Sequence, residues 1–244
     1  MAETLKVYNK ENKTLKIIAT VACVVFLVLA FAVSGLLIFQ KTYYTPFWVH
    51  GQSMYPTLNS NAKYLDDDTL IGERLTSNNA SLKDVDYGFM ATDKSSLNNI
   101  KRFDIVIVKY YEYQQSQNIK RIIAMPGETF FITSSDDNSN GQLFVYNDDI
   151  NNYKLVEQPI DSYYLINGNY PVKYSNPTTL KDDEYFLMGD NRIASNSYDS
   201  RSVGPIKKDL ILGIARGLHG YATVEYENDN YQITHISKYW PRFF

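Results

Sequence analysis

Ile17 to Phe39 reads IIATVACVVFLVLAFAVSGLLIF, 23 residues without a charge, and no other segment restricts the chain so strongly. As a helix rising about 1.5 Å per residue it spans roughly 34 Å, enough to cross a hydrocarbon core of about 30 Å. A cleaved leader would have an apolar region of about 7 to 15 residues followed by small residues. Here Gln40-Lys41-Thr42-Tyr43-Tyr44 follows, so the run reads as a retained anchor. Lys6, Lys10, Lys13 and Lys16 lie ahead of it and only Lys41 lies immediately beyond. The positive-inside bias then predicts a single-pass cell-membrane protein with residues 1–16 as a cytoplasmic tail, 17–39 as the span and 40–244 outside the cytoplasm.

Charge and composition narrow what the outer part does. The chain carries a net charge of -3 and a pI near 5.6, which leaves no basic face for phosphates and argues against nucleic acid as a partner. The single cysteine, Cys23, sits inside the anchor, so a disulfide framework and a Cys-rich zinc module are both excluded. His50, His219 and His235 form no ligand-spaced pair, and neither a metal nor another cofactor is expected.

Beyond the anchor the pattern is that of strands and turns. Phe103 to Tyr110 (FDIVIVKY) is β-branched and bounded by charge, Leu143-Phe144-Val145-Tyr146 follows an Asn140-Gly141 turn signal, and Tyr185-Phe186-Leu187-Met188 ends at Gly189-Asp190-Asn191. Twenty-one tyrosines suit half-buried pleated surfaces. Residues 59–99 are polar with short apolar islands, and Ser134 to Asn140 (SSDDNSN) reads as a solvated loop. The expectation is a mainly β, antiparallel body on one membrane helix.

Three segments carry chemistry. His50-Gly51-Gln52-Ser53-Met54-Tyr55-Pro56-Thr57-Leu58 holds a serine between a glycine and a proline-bearing turn. Ile119-Lys120-Arg121-Ile122-Ile123-Ala124-Met125-Pro126-Gly127-Glu128 sets a lysine at the head of an apolar strand. Met188 to Arg201 (MGDNRIASNSYDSR) is dense in hydroxyls and paired charges. Each alone has an ordinary reading: a Ser/Pro turn, a strand-edge charge, a solvated loop.

Taken together, and in this order after the anchor, the segments resemble type I signal peptidase, the membrane-bound Ser-Lys serine protease family that cuts leader peptides from exported proteins. The resemblance implies a coiled antiparallel β-sheet body with a smaller β insertion at about 129–183. It implies Ser53 as nucleophile in Ser-Met-x-Pro-Thr, Lys120 as general base in Lys-Arg…Pro-Gly, and Asp190, Arg192, Asp199 and Arg201 as charges that shape the site. Substrates would be leader-bearing precursors with small residues before the cut, met at the lipid bilayer and held along the lysine strand, with Met54, Ile122 and Ile123 as expected contacts.

The residue types make chemical sense apart from the resemblance. A serine hydroxyl needs a base, and a lysine serves only when neutral. Lowering a lysine pKa from about 10.4 to about 7 or 8 costs roughly 3 to 5 kcal/mol of differential solvation, which an apolar wall supplies. Ile119, Ile122, Ile123, Ala124 and Met125 provide that wall, and Arg121 is expected on the opposite face, solvated or paired. A Ser-His-Asp reading through His50 and Asp104 is weaker, because Tyr55 stands where the Gly-x-Ser-x-Gly elbow would have its second glycine.

Two departures from the family pattern stand out. Gly51 lies two residues before Ser53, where some members carry an oxyanion-binding hydroxyl, so the Ser53 backbone N–H must serve. The last motif is two residues longer than usual, which leaves Ser195 and Ser197 as alternatives for the hydroxyl that orients Lys120. The short offset to Asp199-Ser200-Arg201 favours Ser197.

Only 14 positions separate Phe39 from Ser53, a reach of about 50 Å at most. Phe47, Trp48 and the C-terminal Tyr239 to Phe244 either dip into the membrane interface or pack on the body. The alternative function is a catalytically retired or dedicated homologue acting as an assembly factor for surface proteins; the intact Ser53 and Lys120 count against it. A self-cleaving regulator with a Ser-Lys pair is disfavoured by the anchor.

Overall fold

The computed structural model describes residues 2–66, 68–73, 82–111, 116–134, 141–193, 196–227 and 230–244. The chain divides into two units, Met1–Tyr44 and Thr45–Phe244. The first is a single helix, α1 (Ala2–Tyr43). Within it Leu15–Ile38 has a mean hydropathy of 2.9 and is long enough to cross a membrane. Its large apolar side chains are exposed all round, among them Phe26 and Phe31, which is the surface of a helix solvated by lipid rather than by protein. The helix starts well ahead of Ile17, so the lysine-bearing segment 1–16, expected only as a tail, continues the same helix from Ala2.

The second unit opens with β1 (Tyr44–Trp48), β2 (Lys63–Tyr64), β3 (Leu82–Lys83), β4 (Val85–Ala91) and a five-residue helix α2 (Lys94–Asn98). Then come β5 (Ile105–Val108), β6 (Asn118–Ala124), β7 (Thr129–Ile132), β8 (Leu143–Asn147), β9 (Asn152–Val156) and α3 (Ser162–Ile166). The chain ends with β10 (Thr178–Thr179), β11 (Glu184–Met188), α4 (Ser200–Val203), β12 (Ile206–Lys207), β13 (Ile211–Glu227) and β14 (Asn230–Phe243). The main sheet runs β1-β4-β13-β5-β6-β11-β12, with β14 also on β13.

Strand β13 curls this sheet. Along one edge it pairs first with β5, through Ile211 to Ile214, and then with β14, through Gly217 to Glu227. The β4 strand takes the other edge, and bulges at Ala215/Gly217 and Leu218/Gly220 add twist where the partners change. Gly88 of β4 is needed there, since a Cβ would stand 2.4 Å from the Gly217 carbonyl oxygen and 2.9 Å from Phe47.

Both faces of β5 are covered, which explains its unbroken apolar run. Ile105 and Ile107 join a core with Phe47, Met54, Leu58 and Leu218, while Val106 and Val108 join another with Tyr110, Ile122, Leu187 and Ile211. A second sheet, β10-β7-β8-β9, lies within 129–179. Phe130, Ile132, Leu143 and Val145 from it pack on Ile123, Phe186 and Met188 of the main sheet.

Phe47 is buried in the core beside Val49, and Trp48 packs against the cluster of Tyr64, Ile71 and Val85. Of the two readings for this pair, packing on the body is the one the structure shows. At the C-terminus Trp240 is 89% exposed and Phe243 72%.

Candidate active site

The serine segment is a compact turn pinned from below. Gly51 has φ +90, open to glycine and strained for other residues. Met54 and Leu58 are fully buried anchors, and the Tyr55 and Leu58 backbone N–H groups donate to the Gln52 and Met54 carbonyls at 3.0 Å. Asn59 braces the turn from its far end. Its Nδ2 donates to the carbonyls of Val49 and Gly51 at 2.9 Å, and it exchanges two 2.7 Å bonds with Asp86. Ser53 is thereby held half-exposed on a backbone with little freedom.

Lys120 comes from β6 and is 3% exposed. Its Nζ donates to Ser53 Oγ at 2.9 Å and to the Ile119 carbonyl at 2.8 Å. Burial pushes its pKa from 10.5 down to about 8; Asp199 opposes the shift, Arg201 adds to it, and Asp190 opposes it. A fraction of the amine is therefore neutral near neutral pH, which an exposed lysine does not offer.

The third segment ties the other two together. Asn191 donates its backbone N–H to the Ser53 carbonyl at 3.1 Å. Asp190 is fully buried and takes Arg121 in a two-pronged pair, Nε at 2.8 Å and Nη2 at 2.6 Å, and also accepts from Thr57 Oγ1 at 2.5 Å. Arg121, expected to be solvated or paired, is buried and paired. Asp199 caps α4 by accepting from the Arg201 N–H, and receives the Arg201 guanidinium at 2.9 Å on both oxygens. Burial alone would push the Asp199 pKa up, but the Arg201 charge and hydrogen bonds from Arg201, Gly189 and Ser197 hold it below the usual carboxylate range. Arg192, also fully buried, donates to the Gly189 carbonyl at 2.5 Å and to Gln158 at 3.0 Å, which fastens the loop to the second sheet's segment.

Several expected roles change. Ser197 Oγ donates to Asp199 Oδ2 at 2.7 Å instead of meeting Lys120, whose hydrogen-bond partners among the described residues are Ser53 and Ile119. The nearby carboxylate outcompetes the amine for that hydroxyl, because charge-assisted hydrogen bonds are the stronger ones. Ser195 lies outside the described residues. Met54, Ile122 and Ile123, expected to touch substrate, are all fully buried and serve three different core clusters, so none presents a surface to a ligand. His50 stands edge-on to Trp48 at 5.8 Å, and Asp104 accepts from the Lys101 N–H; neither meets Ser53 as a triad would require.

Sequence reasoning passed over Gln52, Asn59, Asn191 and Asn196, whose amides join these segments, and Tyr110, whose hydroxyl donates to the Tyr198 carbonyl at 2.5 Å. The Asn and Gln beside Ser53, Asp190, Arg192 and Ser197 were the available signal.

The chain is similar to known proteins. The signal peptidase family, peptidase S26, matches residues 17–219. Signal peptidase I T of Bacillus subtilis is 32% identical over 188 residues, 74% of this chain and 76% of the relative. Signal peptidase I of Bacillus amyloliquefaciens is 30% identical over 194 residues, 76% and 78% of the two chains. A signal peptidase I crystal structure from Enterococcus faecalis is 21% identical with a TM-score of 0.34, covering 48% of this chain and 96% of that one. The protein is thus a peptidase. It belongs to the signal peptidase family, peptidase S26.

Proposed function

We propose that Ser53 and Lys120 are the nucleophile and general base with which this membrane-anchored type I signal peptidase, a serine endopeptidase, removes leader peptides from exported precursors. The observation that carries the reading is the 2.9 Å contact between Lys120 Nζ and Ser53 Oγ, made by an amine at 3% exposure. Neutral Lys120 takes the Ser53 proton as Oγ attacks the scissile carbonyl carbon. The carbonyl oxygen becomes an oxyanion, for which the Ser53 backbone N–H is the donor at hand. The Lys120 ammonium then protonates the departing amine, the C–N bond breaks, and the leader remains as an ester on Ser53. Water, deprotonated by Lys120, attacks that ester and returns both groups to their starting state. Asp190, Arg192, Asp199 and Arg201 hold the wall around the amine, Asp199 with Ser197 on one oxygen.

Lys6, Lys10, Lys13 and Lys16, ahead of the apolar run within α1, orient the chain with its N-terminus in the cytoplasm and Thr45–Phe244 outside, where exported precursors emerge. Protease added to intact cells should then remove the β body and leave a short protected anchor fragment; protection of the whole chain would reverse the orientation. For the chemistry, the purified protein in detergent is incubated with a leader-bearing precursor and the new N-terminus sequenced. Ser53→Ala and Lys120→Ala should each drop cleavage to background, with the double variant hardly worse. The wild-type kcat/KM should fall about tenfold per pH unit below about 8, where the base is lost to protonation. A Lys120→Ala protein with a tenth of the activity would rule out the base.

A further inference from the structure

Gln52, directly before Ser53, is 8% exposed, and a buried carboxamide persists only where its donors and acceptors are matched. Its Oε1 accepts from the Tyr64 hydroxyl at 3.3 Å, and its Nε2 donates to Asn196 Oδ1 at 3.3 Å. Asn196 Nδ2 donates to Asn191 Oδ1 at 3.2 Å, and Asn191 Nδ2 donates back to the Gln52 carbonyl at 3.2 Å. The amides therefore close a ring. The backbone N–H of Asn191 meanwhile holds the Ser53 carbonyl, so the ring grips the peptide group on each side of the nucleophile.

Asn196 stands where this grip is most needed. It lies in the loop after Arg192 and precedes Ser197 and Asp199, whose charge acts on Lys120. A loop's conformations must be given up for it to sit still. Gln52 reaches the loop from the nucleophile's own turn, and Tyr64 fixes it from β2, in the same 59–99 stretch whose Asn59 and Asp86 brace that turn.

We propose that Gln52 is a positioning residue: through Asn196 it clamps the loop after Arg192 onto the serine turn and so keeps Ser53 Oγ within reach of Lys120 Nζ. The inference rests on the Ser53–Lys120 reading above. Its chemical stake is distance, since a misplacement of about 1 Å at a reacting pair costs up to roughly a hundredfold in rate.

The test uses the full-length protein in detergent with a leader-bearing precursor, comparing Gln52→Met, Asn196→Ala, the double variant and Ser53→Ala. Methionine keeps the length and bulk of Gln52 and removes the hydrogen bonds to Tyr64 and Asn196. Each single variant should lose about three- to tenfold in kcat, the worth of one or two neutral hydrogen bonds, with KM unchanged and the thermal midpoint lowered by only about 2 to 4 °C. The double variant should be no slower than the worse single one, because both changes open the same clamp. The acid limb of kcat/KM should move to higher pH as water reaches Lys120, which a merely structural residue would not cause. Should Gln52→Met fail to fold, Asn196→Ala carries the same readings. A full kcat with an unmoved acid limb, multiplying losses in the double variant, or a rise in KM alone would each overturn the positioning role. Cleavage by Ser53→Ala would instead overturn the Ser53–Lys120 reading, whatever Gln52 does.

Discussion

Lys120→Met should abolish cleavage and, through the same physics, alter how the stability of the β body depends on pH. The unfolded chain holds the Lys120 proton up to about pH 10.5, whereas the folded chain holds it only up to about 8. Between those values the unfolded state binds more protons, so wild-type stability rises with pH. A separation of about 2.5 pH units at about 1.36 kcal/mol per unit amounts to roughly 3 kcal/mol. That penalty is carried in full below pH 8 and has gone by 10.5. Methionine binds no proton, so wild-type stability minus variant stability should increase by about 3 kcal/mol between pH 7 and 10.5. The variant also forfeits the bonds to Ser53 and Ile119, about 1 kcal/mol each, but these shift the whole curve and leave its slope alone. Urea titrations of both proteins in detergent, followed by the fluorescence of Trp48, read the difference directly. A flat difference from pH 7 to 10.5 would mean that Lys120 is not desolvated, and the neutral amine would lose its physical origin.

Gly189→Ala should cut precursor processing by a hundredfold or so, because the new Cβ would stand 2.3 Å from the Ser53 carbonyl oxygen and from Ser197 Oγ, displacing nucleophile and loop together. Arg121→Met should lower the urea-derived stability by about 3 to 5 kcal/mol, since it strands the fully buried Asp190 without its partner. Ser197→Ala should slow kcat about tenfold, as Asp199 loses a charge-assisted hydrogen bond of about 1.5 kcal/mol or more and shifts against Lys120; processing at wild-type speed would detach Ser197 from the site.

The Ser53–Lys120 pairing was legible in the sequence because each residue sits in a local frame of its own: Ser53 between Gly51 and Pro56, Lys120 at the head of an apolar strand. The β5 and β11 runs were legible for the same reason, as short β-branched or aromatic stretches between turn signals. What sequence reading lost was set by contacts between distant segments. Ser197 was expected on Lys120, but Asp199 two residues away takes its hydroxyl. Met54, Ile122 and Ile123 were read as substrate contacts from their closeness in sequence to Ser53 and Lys120. Each instead faces a core that only the finished sheet encloses. The β4 strand was hidden by Gly88, a poor strand former on its own, and it exists because β13 passes too close for a side chain.

The contacts that join the three segments span long stretches of chain: 67 residues from Ser53 to Lys120, 69 from Arg121 to Asp190, and 139 from Gln52 to Asn191. Closing loops of that size comes late and cooperatively, after the strands between have paired. A half-made copy therefore holds the serine and the lysine apart and leaves the lysine wet and charged. Proteolytic power resting on that pair arrives only with the finished fold, which spares the unfolded chain from a protease that acts too early.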